Sequence, residues 1–409
     1  MTIINARLLD QDGLCTIAVE GGTIRSITTG APKDASDVLD AKGALLLPGL
    51  IDLNFNLQDP GNRSVESLSQ AIMSAARGGI THVVAKPYTD PVVDKEITME
   101  YLHARLLGHK GARLSILASA TLDGNGETLS EQATLYHNGA LGCHTYSDIN
   151  ANILRRTFEY ARMQDRALFV TCRNRELEAG GVMADGEVAS RMGLPTILPL
   201  AQSSEVAKIC EMARYLQTKT LLQEISTKES LNLIRAAKKH TPLIFSEVGI
   251  DHLILTDEAC DGFNTLAKVT PPLENTGTRE ELIRAVADGT VDIIASHHTA
   301  RNLNSKDMPF DLATDGTRHA GYLLPLLYTY LVRPGTLSFE TVIRACSSAP
   351  AALIRDERNG RIAPGFSADM VLFDPEATTT VPDSVNSPFQ GQTLQGAVRH
   401  TFVNGERLF

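Results

Sequence analysis

The sequence lacks tryptophan, has only 5% aromatic residues, and contains no uninterrupted apolar run near the roughly 18 residues that a membrane-spanning helix needs. Its first residues also lack the basic stretch followed by a long apolar run that is typical of a signal peptide. The 48 Asp and Glu residues exceed the 38 Lys and Arg residues, and no basic cluster offsets the net charge of −10. Such acidity argues against a protein that binds nucleic acid or an anionic membrane. These absences together predict a soluble, cytoplasmic protein.

Signatures of several catalytic and redox classes are also missing. There is no GxSxG elbow, no GxxxxGK(S/T) loop and no GxGxxG between a strand and a helix, which excludes three common enzyme signatures. The six cysteines have neither CxxC nor paired spacing, so they indicate a reduced chain rather than a disulfide framework or a zinc ribbon. They are Cys15, Cys143, Cys172, Cys210, Cys260 and Cys346.

Short apolar runs bounded by Gly, Pro, Asn, Asp or Ser dominate the middle of the chain. Strands buried on both faces of a parallel sheet have this pattern, and amphipathic segments lie between the runs. One segment has helical spacing after Ser64, a candidate N-cap, and another spans 228–239. Repeated β–α units predict an α/β fold built on a (β/α)8 TIM barrel. The runs are 51–57, 81–87, 114–121, 140–146, 167–172, 220–225, 242–248 and 291–297.

The two ends of the chain have a different pattern, with short β-like runs separated by Gly turns. Residues 1–48 and 361–409 are each too short to bury a core alone. We therefore expect them to form one small β-sandwich domain together, with the barrel spanning 49–360. A chain of 409 residues accommodates such a domain beside a barrel of about 250 residues.

Segments along almost the whole chain carry a family resemblance. Residues 48–61 read PGLIDLNFNLQDPG, and residues 78–91 read GGITHVVAKPYTDP. They resemble the motifs PGLIDxHxHLRxPG and GGxTxxxxMPNTxP of the dihydroorotases in the amidohydrolase superfamily. Residues 226–230, 268–273 and 365–389 are similar to later motifs of the same family. The resemblance implies the amidohydrolase type of TIM barrel with its small β domain.

The resemblance also identifies the positions where this family binds metal. Its reaction is the reversible closure of carbamoyl aspartate to dihydroorotate, which needs a polarised carbonyl and, in the hydrolytic direction, a metal-activated hydroxide. Asn54 and Asn56 replace the HxH pair, Thr171 and Glu224 replace two further histidines, and His297 replaces the catalytic aspartate, so that only Asp148 still matches a ligand. Because these positions are degenerate, we expect neither catalytic residues nor a metal cofactor.

The positions that hold the substrate carboxylate in the family differ as well. Gln58 and Tyr88 stand where the family has Arg and Asn, and Arg301 replaces a histidine. Because Gln cannot make the bidentate, charge-assisted contact of Arg, we expect no substrate-binding residues at these positions. Lys86, Arg173 and Arg301 could still attract an anion, although salt-bridged packing is the simpler interpretation.

A residual metal site is the alternative interpretation. Asp148, Glu224 and His297 form an acceptable ligand set for one zinc or another divalent ion. In the simpler interpretation these side chains are hydrogen-bonded and fill the space of the lost metals. Cys172 matches the cysteine of the family's HCED motif and is interpreted as an ordinary buried thiol rather than a nucleophile.

The lost site favours a dihydroorotase-like pseudoenzyme. Inactive members of this family associate with aspartate carbamoyltransferase, so the resemblance implies a structural subunit of de novo pyrimidine biosynthesis that forms a homo- or hetero-oligomer. One alternative is an active amidohydrolase, a dihydroorotase or other cyclic amide or ureide hydrolase, with a remodelled or mononuclear metal site. Another is a ligand-binding sensor that uses the emptied pocket.

Overall fold

The predicted apolar runs all contain parallel strands in the computed structural model, which describes residues 1–30 and 37–409. The strands are shorter than several of the runs because the apolar residues continue into the loops at their ends. They are β1 (Thr2–Leu8), β2 (Gln11–Glu20), β3 (Thr23–Thr28), β4 (Val38–Asp40), β5 (Leu45–Pro48), β6 (Leu50–Asn56), β7 (Ile80–Ala85), β8 (Arg113–Ile116), β9 (Ala118–Ser119), β10 (Cys143–Tyr146), β11 (Leu168–Thr171), β12 (Met183–Ala184), β13 (Thr196–Ile197), β14 (Thr220–Gln223), β15 (Ile244–Gly249), β16 (Ile293–Ala295), β17 (His298–Thr299), β18 (Met370–Thr380), β19 (Thr393–Val403) and β20 (Glu406–Arg407).

Two parallel sheets form the middle of the molecule. One has the strand order β16-β15-β14-β11-β10-β9, and the other has the order β17-β6-β7-β8. Leu117 alone separates β8 from β9, and Ser296 and His297 separate β16 from β17, so the chain passes from one sheet to the other at both edges. The carboxyl ends of all these strands are therefore brought towards one face, which is where parallel α/β proteins place their sites.

Helices follow most of the parallel strands and bury their apolar faces against them. Leu154, Phe158 and Ala161 on one face of α4 are fully buried and belong to the main core cluster. The helices are α1 (Leu68–Arg77), α2 (Glu96–Leu106), α3 (Gln132–His137), α4 (Ala151–Met163), α5 (Arg175–Glu178), α6 (Glu187–Met192), α7 (Leu200–Leu216), α8 (Lys228–Lys238), α9 (Ile250–Ile254), α10 (Thr276–Asp288), α11 (Leu323–Leu327), α12 (Phe339–Ile343) and α13 (Ala349–Leu353). Within the described part of the chain, no helix combines the length and the apolar character needed to cross a bilayer.

Strands from both ends of the chain form a third sheet, in the order β20-β19-β18-β5-β1-β2-β3 with β4 beside β1. A single bridge between Arg7 and Leu45 joins its two halves. Ile17 of one half and Phe402 of the other are fully buried in the same core cluster. Residues 31–36, which the predicted domain includes, lie outside the described residues.

The start of α1 corrects a prediction. The sequence suggested Ser64 as its N-cap, but the helix begins at Leu68 and Ser67 caps it. The Ser67 hydroxyl accepts a hydrogen bond from Gln70 N, and the Gln70 side chain accepts one from Ser67 N at 2.9 Å. This reciprocal capping box satisfies two backbone donors, whereas the Ser64 hydroxyl only contacts Asn62. The predicted helix over 228–239 is confirmed as α8.

We expect Ser67→Ala to lower the free energy of unfolding by about 1 kcal/mol, the usual cost of losing an N-cap side chain. Ser64→Ala is the matched control, three residues away, and should leave the urea midpoint unchanged. Equal destabilisation by the two substitutions would contradict the assignment of the cap to Ser67.

Candidate functional site

Polar side chains from five parallel strands meet at the carboxyl face, and we call this group the Lys86 cluster. Asn54 lies in β6, Lys86 directly follows β7, Thr171 ends β11, Glu224 directly follows β14, and Glu247 lies in β15. Each side chain is at least nine-tenths buried. Charged groups at that depth need partners, because burial without one costs several kcal/mol (~2–7 kcal/mol even for a neutral polar group).

Lys86 and Glu224 form a buried ion pair at the centre of the cluster. The Lys86 ammonium contacts Glu224 Oε1 and donates a further hydrogen bond to Thr171 Oγ1 at 3.3 Å. Burial lowers the pKa of Lys86, but the charge and hydrogen bond of Glu224 together with the charges of Tyr146 and Glu247 outweigh it, and the pKa is raised overall. Burial likewise raises the pKa of Glu224, but Lys86 and then His297 outweigh it and lower that pKa to about 2. Both groups are therefore charged at neutral pH.

Asn54 links the two glutamates of the cluster. Its amide nitrogen donates to Glu247 Oε1 at 2.7 Å and to Glu224 Oε1 at 3.2 Å. Gln223 donates to the other Glu247 oxygen at 2.8 Å. Even so, burial raises the pKa of Glu247 to about 7, so this carboxyl exchanges its proton near neutral pH. The Asn54 side chain thus presents its donor group, and not its oxygen, to the centre of the site.

His297 joins the Lys86 cluster to a second buried group, the Asp251 cluster, formed by Asp251, His297, Thr317 and His319. His297 Nε2 lies 3.7 Å from Glu224 Oε1, and its Nδ1 lies 3.5 Å from Asp251 Oδ2. His319 Nδ1 lies 3.0 Å from the other Asp251 oxygen, and the Thr317 hydroxyl donates to Asp251 at 3.0 Å. Burial lowers the pKa of His297, but the Asp251 hydrogen bond and the Glu224 charge raise it overall.

The backbone is strained where these two groups meet. Glu224 has a φ of 61° and His297 has a φ of 55°, in the left-handed region that non-glycine residues rarely adopt. Each of these conformations costs of order 1–3 kcal/mol, which the surrounding contacts must offset. Gly249 at the end of β15 leaves room for His297, since a Cβ there would lie 3.1 Å from the imidazole Nδ1. These backbone conformations direct the Glu224 and His297 side chains towards each other.

Asp148 is held away from the Lys86 cluster by an arginine. Its two carboxylate oxygens accept from Arg175 Nε at 2.7 Å and from Arg175 Nη2 at 2.8 Å, and one also accepts from the Arg175 backbone N–H. Burial raises the pKa of Asp148, but these hydrogen bonds outweigh it and lower the pKa overall. The structure therefore brings Glu224 and His297 together, whereas Asp148 is already fully bonded to a cation.

Comparison with known families gives this arrangement a context. Residues 43–230 match the Dihydro-orotase-like family model, and residues 287–409 match the Amidohydrolase family model. A dihydroorotase of Acetivibrio thermocellus is 34% identical over 404 residues, covering 97% of this chain and 95% of the relative. The chain belongs to the dihydroorotase-like amidohydrolase family. A "dihydroorotase-like protein" of Pseudomonas aeruginosa is 33% identical over 419 residues, covering 99% of this chain and 98% of the relative.

Solved structures show the same fold at lower sequence similarity. An L-hydantoinase from Arthrobacter aurescens superimposes with a TM-score of 0.87 at 21% identity, covering 99% of this chain and 95% of that chain. A D-hydantoinase from Thermus sp. gives a TM-score of 0.82 at 20% identity, covering 99% and 94%. At these identities the similarity establishes an amidohydrolase-type α/β fold alone.

The donor set of this dihydroorotase-like chain does not fit the divalent metals that its family implies. Lys86 brings a positive charge to Glu224, and Asn54 turns its amide hydrogens towards both glutamates. A metal at this place would have to displace the ammonium and lose its ion pair. In residues 1–30 and 37–409, no three His, Cys, Asp or Glu side chains are grouped so that they could hold a metal ion. The alternative set of Asp148, Glu224 and His297 is not assembled.

The second HxH position of the family is also committed to a protein contact. The Asn56 side chain donates to the Thr299 hydroxyl at 2.9 Å and so joins β6 to β17. His298 lies beside it, stacked on Phe55 with ring centroids 4.3 Å apart, and its Nε2 lies 3.0 Å from Glu66. Both residues fix the closing edge of the site instead of lining an open coordination position.

The family's substrate positions hold side chains with local partners. The Tyr88 hydroxyl lies 2.9 Å from His144 Nδ1, and His144 Nε2 lies 3.1 Å from Thr171 Oγ1. Arg301 donates to the Asp315 carbonyl at 2.8 Å, and the Arg173 guanidinium is paired with Glu178. Gln58 is half-buried and has no side-chain hydrogen bond within the described residues. Lys86 and Arg173, two of the cations that the sequence offered for an anion, are thus paired with carboxylates, and the Arg301 guanidinium lies 3.5 Å from the Asp315 carboxylate.

Cys172 lies in the site as the buried thiol that was predicted. It is 2% exposed, and burial raises its pKa well above the ordinary value, so the reactive thiolate is suppressed. All six cysteines are buried and free.

We expect Tyr88→Phe to lower the free energy of unfolding by about 1 kcal/mol, because it leaves His144 Nδ1 without its hydroxyl partner in a buried position. Tyr215→Phe is the control, since Tyr215 is 76% exposed. Thermal unfolding of both variants measures the difference. Equal midpoints would show that the Tyr88 hydroxyl adds nothing to the network.

Proposed function

We propose that this chain is a noncatalytic, cytoplasmic member of the dihydroorotase-like family. In this proposal it serves de novo pyrimidine biosynthesis as a structural subunit that associates with the aspartate carbamoyltransferase catalytic subunit. The observation that carries the noncatalytic part is the buried ion pair between Lys86 and Glu224, at the position where the family's chemistry needs a divalent metal.

A lysine ammonium replaces the charge of a metal but not its chemistry. It compensates Glu224 and reaches Thr171, so that the buried carboxylate remains stable. However, an ammonium has no vacant coordination position, and it cannot lower the pKa of a bound water as a Zn²⁺ ion does. Without a metal, hydrolysis of dihydroorotate lacks an activated hydroxide as nucleophile, and ring closure lacks a Lewis acid to polarise the carboxyl group that the substrate nitrogen attacks. The site therefore supports folding better than catalysis.

Loss of the substrate contacts supports the same proposal. Tyr88 and Arg301 are bonded to neighbouring groups, and Gln58 offers only a neutral amide. The one guanidinium at these positions, that of Arg301, already donates from Nε to the Asp315 carbonyl and lies 3.5 Å from the Asp315 carboxylate, which competes with the bidentate contact that selects a carboxylate substrate.

An activity assay tests the noncatalytic part directly. Purified protein is incubated with zinc and either carbamoyl aspartate or dihydroorotate, beside a dihydroorotase with an intact HxH motif as positive control. We expect no conversion above the protein-free rate. Turnover that requires zinc and disappears in Asp148→Ala would contradict the proposal and favour an amidohydrolase with a remodelled metal site.

Restoring the HxH pair alone should not restore activity. In the double variant Asn54→His/Asn56→His, the Lys86 ammonium still occupies the centre, and Thr171 and Glu224 still replace two ligands. We expect no dihydroorotate turnover in the same assay. Measurable turnover in this variant would mean that the other replaced positions matter little.

The family resemblance is the basis for the proposed partner, and the surface of α2 is compatible with it. Ile97 and Tyr101, one helical turn apart, are 69% and 46% exposed, and Leu107 just beyond the helix is 80% exposed. Ile97 and Tyr101 share one face of the helix, and exposed apolar side chains that lie together are the usual place to look for a protein contact. We take Ile97 and Tyr101 as the first positions to alter.

Size-exclusion chromatography with native aspartate carbamoyltransferase tests the partner. We expect one co-eluting peak for the wild type, and two separate peaks for Ile97→Lys/Tyr101→Lys. Met163→Lys is the control, because Met163 is equally apolar and 74% exposed but lies on α4. Separate elution of the wild-type proteins at micromolar concentration would contradict the proposal.

We also propose that the two parallel sheets form one closed (β/α)8 barrel spanning 49–360, with 1–48 and 361–409 as its small domain. The backbone continues across one edge, since Leu117 N donates to Ala85 O at 2.9 Å while Ala118 N donates to Gly142 O at 3.0 Å. At the other edge the Asp52 carboxylate accepts from Ser296 N at 3.1 Å. These contacts join neighbouring strands on both sides of each break.

A further inference from the structure

A pocket beside the Lys86 cluster has no role in the proposed function. It lies at the carboxyl ends of β11 and β14 and is closed on the far side by residues 270–274. Its empty space is about 460 Å³ only when the part open to solvent is counted, so a ligand held there remains partly in contact with solvent. Gln202 braces one wall, because it donates to the Glu224 carbonyl at 2.8 Å and accepts from Ser226 N at 3.0 Å. The pocket is therefore part of the rigid face of the molecule.

The wall of this pocket is mainly apolar and contains a single carboxyl group without a partner in the described part of the chain. Ile197, Leu198, Pro199 and Pro272 supply the apolar surface. Glu274 also lines the pocket, is only 8% exposed, and its carboxylate makes no hydrogen bond or ion pair with any described residue. A carboxyl without a protein partner at this depth is solvated only through the pocket that it lines, so it is open to a positive group that enters there.

The two other acids of the pocket wall are already compensated. Glu178 is paired with Arg173, and Glu224 is paired with Lys86. Neither carboxylate is available to a second cation without losing its present one. Glu274 is thus the position at which a positive group could enter and find an unused counter-ion.

The surroundings of Glu274 favour a positive ligand. Burial, together with the neighbouring charges of Glu229, Asp257 and Asp185, raises the pKa of Glu274 to about 8 against the opposing effect of Lys228. The negative charges of Glu229, Asp257 and Asp185 disfavour the ionised form of Glu274, and they attract a cation to the same place. No group of three ligands able to hold a metal ion occurs in the described residues, and the apolar wall suits an alkyl chain better than a hydrated metal.

We propose that this pocket binds a small organic cation, a primary alkylammonium, with Glu274 as its counter-ion and the side chains of Ile197, Leu198 and Pro272 around its alkyl chain. The ammonium forms a buried charge-assisted hydrogen bond with Glu274, and the carboxyl group gives up its proton on binding. The site is independent of the proposed partner and of the absence of catalysis.

Isothermal titration calorimetry with n-propylammonium chloride tests the proposal on the full chain near pH 7. We expect saturable binding at one ligand per chain, with release of a proton that is detected by repeating the titration in buffers of different ionisation enthalpy. n-Propanol, which has the same chain and no charge, and propionate should each bind at least about tenfold more weakly. The absence of propylammonium binding, or equal binding of n-propanol, would overturn the proposal.

Glu274→Gln identifies the counter-ion. Because an amide of the same shape replaces a carboxyl that is mostly neutral at this pH, the variant should fold, and circular dichroism checks this. We expect propylammonium affinity to fall by at least about tenfold, whereas Glu280→Gln, an exposed position on α10, should leave it unchanged. Unchanged binding in Glu274→Gln, or wild-type binding without proton release, would show that Glu274 is not the counter-ion.

Discussion

Lys86→Met is expected to lower the free energy of unfolding by about 3–5 kcal/mol, the range found when one partner of a buried ion pair is removed. The substitution leaves Glu224 charged and about nine-tenths buried, with only the Asn54 amide and His297 near its Oε1. The methionine side chain keeps most of the volume, so the loss reports the charge rather than a cavity. Urea denaturation followed by circular dichroism measures it.

A second substitution distinguishes the contribution of the ion pair to stability from that of the other contacts in the Lys86 cluster. The double variant Lys86→Met/Glu224→Gln removes both charges and should recover a large part of the lost stability, because a buried pair exchanged for neutral groups is often tolerated. Lys110→Met is the control, since its contact with Glu406 lies on the surface with 70% and 60% of the two side chains exposed. A double variant as unstable as Lys86→Met would contradict this interpretation.

The effect of Lys86→Met should also depend on pH. The pKa of Glu224 is lowered from 4.5 to about 2 in the folded chain, so the stability it gains from Lys86 is present above pH 4.5 and is lost as the pH falls towards about 2. The pKa of Lys86 is raised above 10.5, so its contribution is complete below that pH and is lost only above it. The difference between wild type and variant should therefore be constant near neutrality and shrink in acid.

Asp251→Ala is expected to lower the free energy of unfolding by about 3 kcal/mol or more, because it leaves the buried Thr317 hydroxyl without its acceptor and removes the carboxylate 3.0 Å from His319 Nδ1. It also removes the carboxylate next to His297, whose other neighbour is Glu224. Thermal and urea unfolding measure the loss. Asp307→Ala, an exposed aspartate in the same half of the chain, is the control and should have little effect.

The stability that Asp251 contributes should depend on pH in the same direction as the stability that Glu224 contributes. Burial raises the pKa of Asp251, but the histidines and their hydrogen bonds lower it well below 3.8 overall. Its stabilising contribution is thus complete above pH 3.8 and is lost as the pH falls below that value. If Asp251→Ala lowers the free energy of unfolding only slightly, and by the same amount at neutral and acidic pH, then the Asp251 carboxylate does not stabilise the Asp251 cluster.

The sequence was informative about the strands because their burial on both faces leaves a continuous apolar run between polar or Gly boundaries. It placed the strand ends less well. The run 140–146 contains a strand only from Cys143 to Tyr146, and the run 114–121 divides at Leu117. Strand ends depend on which neighbouring strand offers a hydrogen bond, and such pairings join residues far apart in the chain. The cap at Ser67 was missed because Ser64 and Ser67 both precede the same apolar pattern.

The candidate site was predicted from matched motif positions, and Asn54, Thr171, Glu224 and His297 do lie together. Their partners were missed. Lys86 meets Glu224 across 138 residues of chain, and Asn54 meets Glu247 across 193, distances at which no local pattern acts.

One signal in the sequence could have revealed part of this network. Glu247 interrupts the buried apolar strand Ile244–Gly249, and a carboxylate at such a position requires a donor from elsewhere. For Asp148 the sequence match was misleading. This residue matches a metal ligand of the family, but in the structure its carboxylate is bound by Arg175.

Metal analysis of the wild-type protein tests most directly whether Lys86 takes the place of the family's metal. The protein is purified without chelators, equilibrated with excess zinc, freed of unbound metal by gel filtration, and measured by mass spectrometry beside a dihydroorotase with an intact HxH motif. We expect the control to retain zinc in proportion to its chains and this protein to retain far less than one zinc per chain. Stoichiometric zinc that is lost in Glu224→Ala would contradict the central claim.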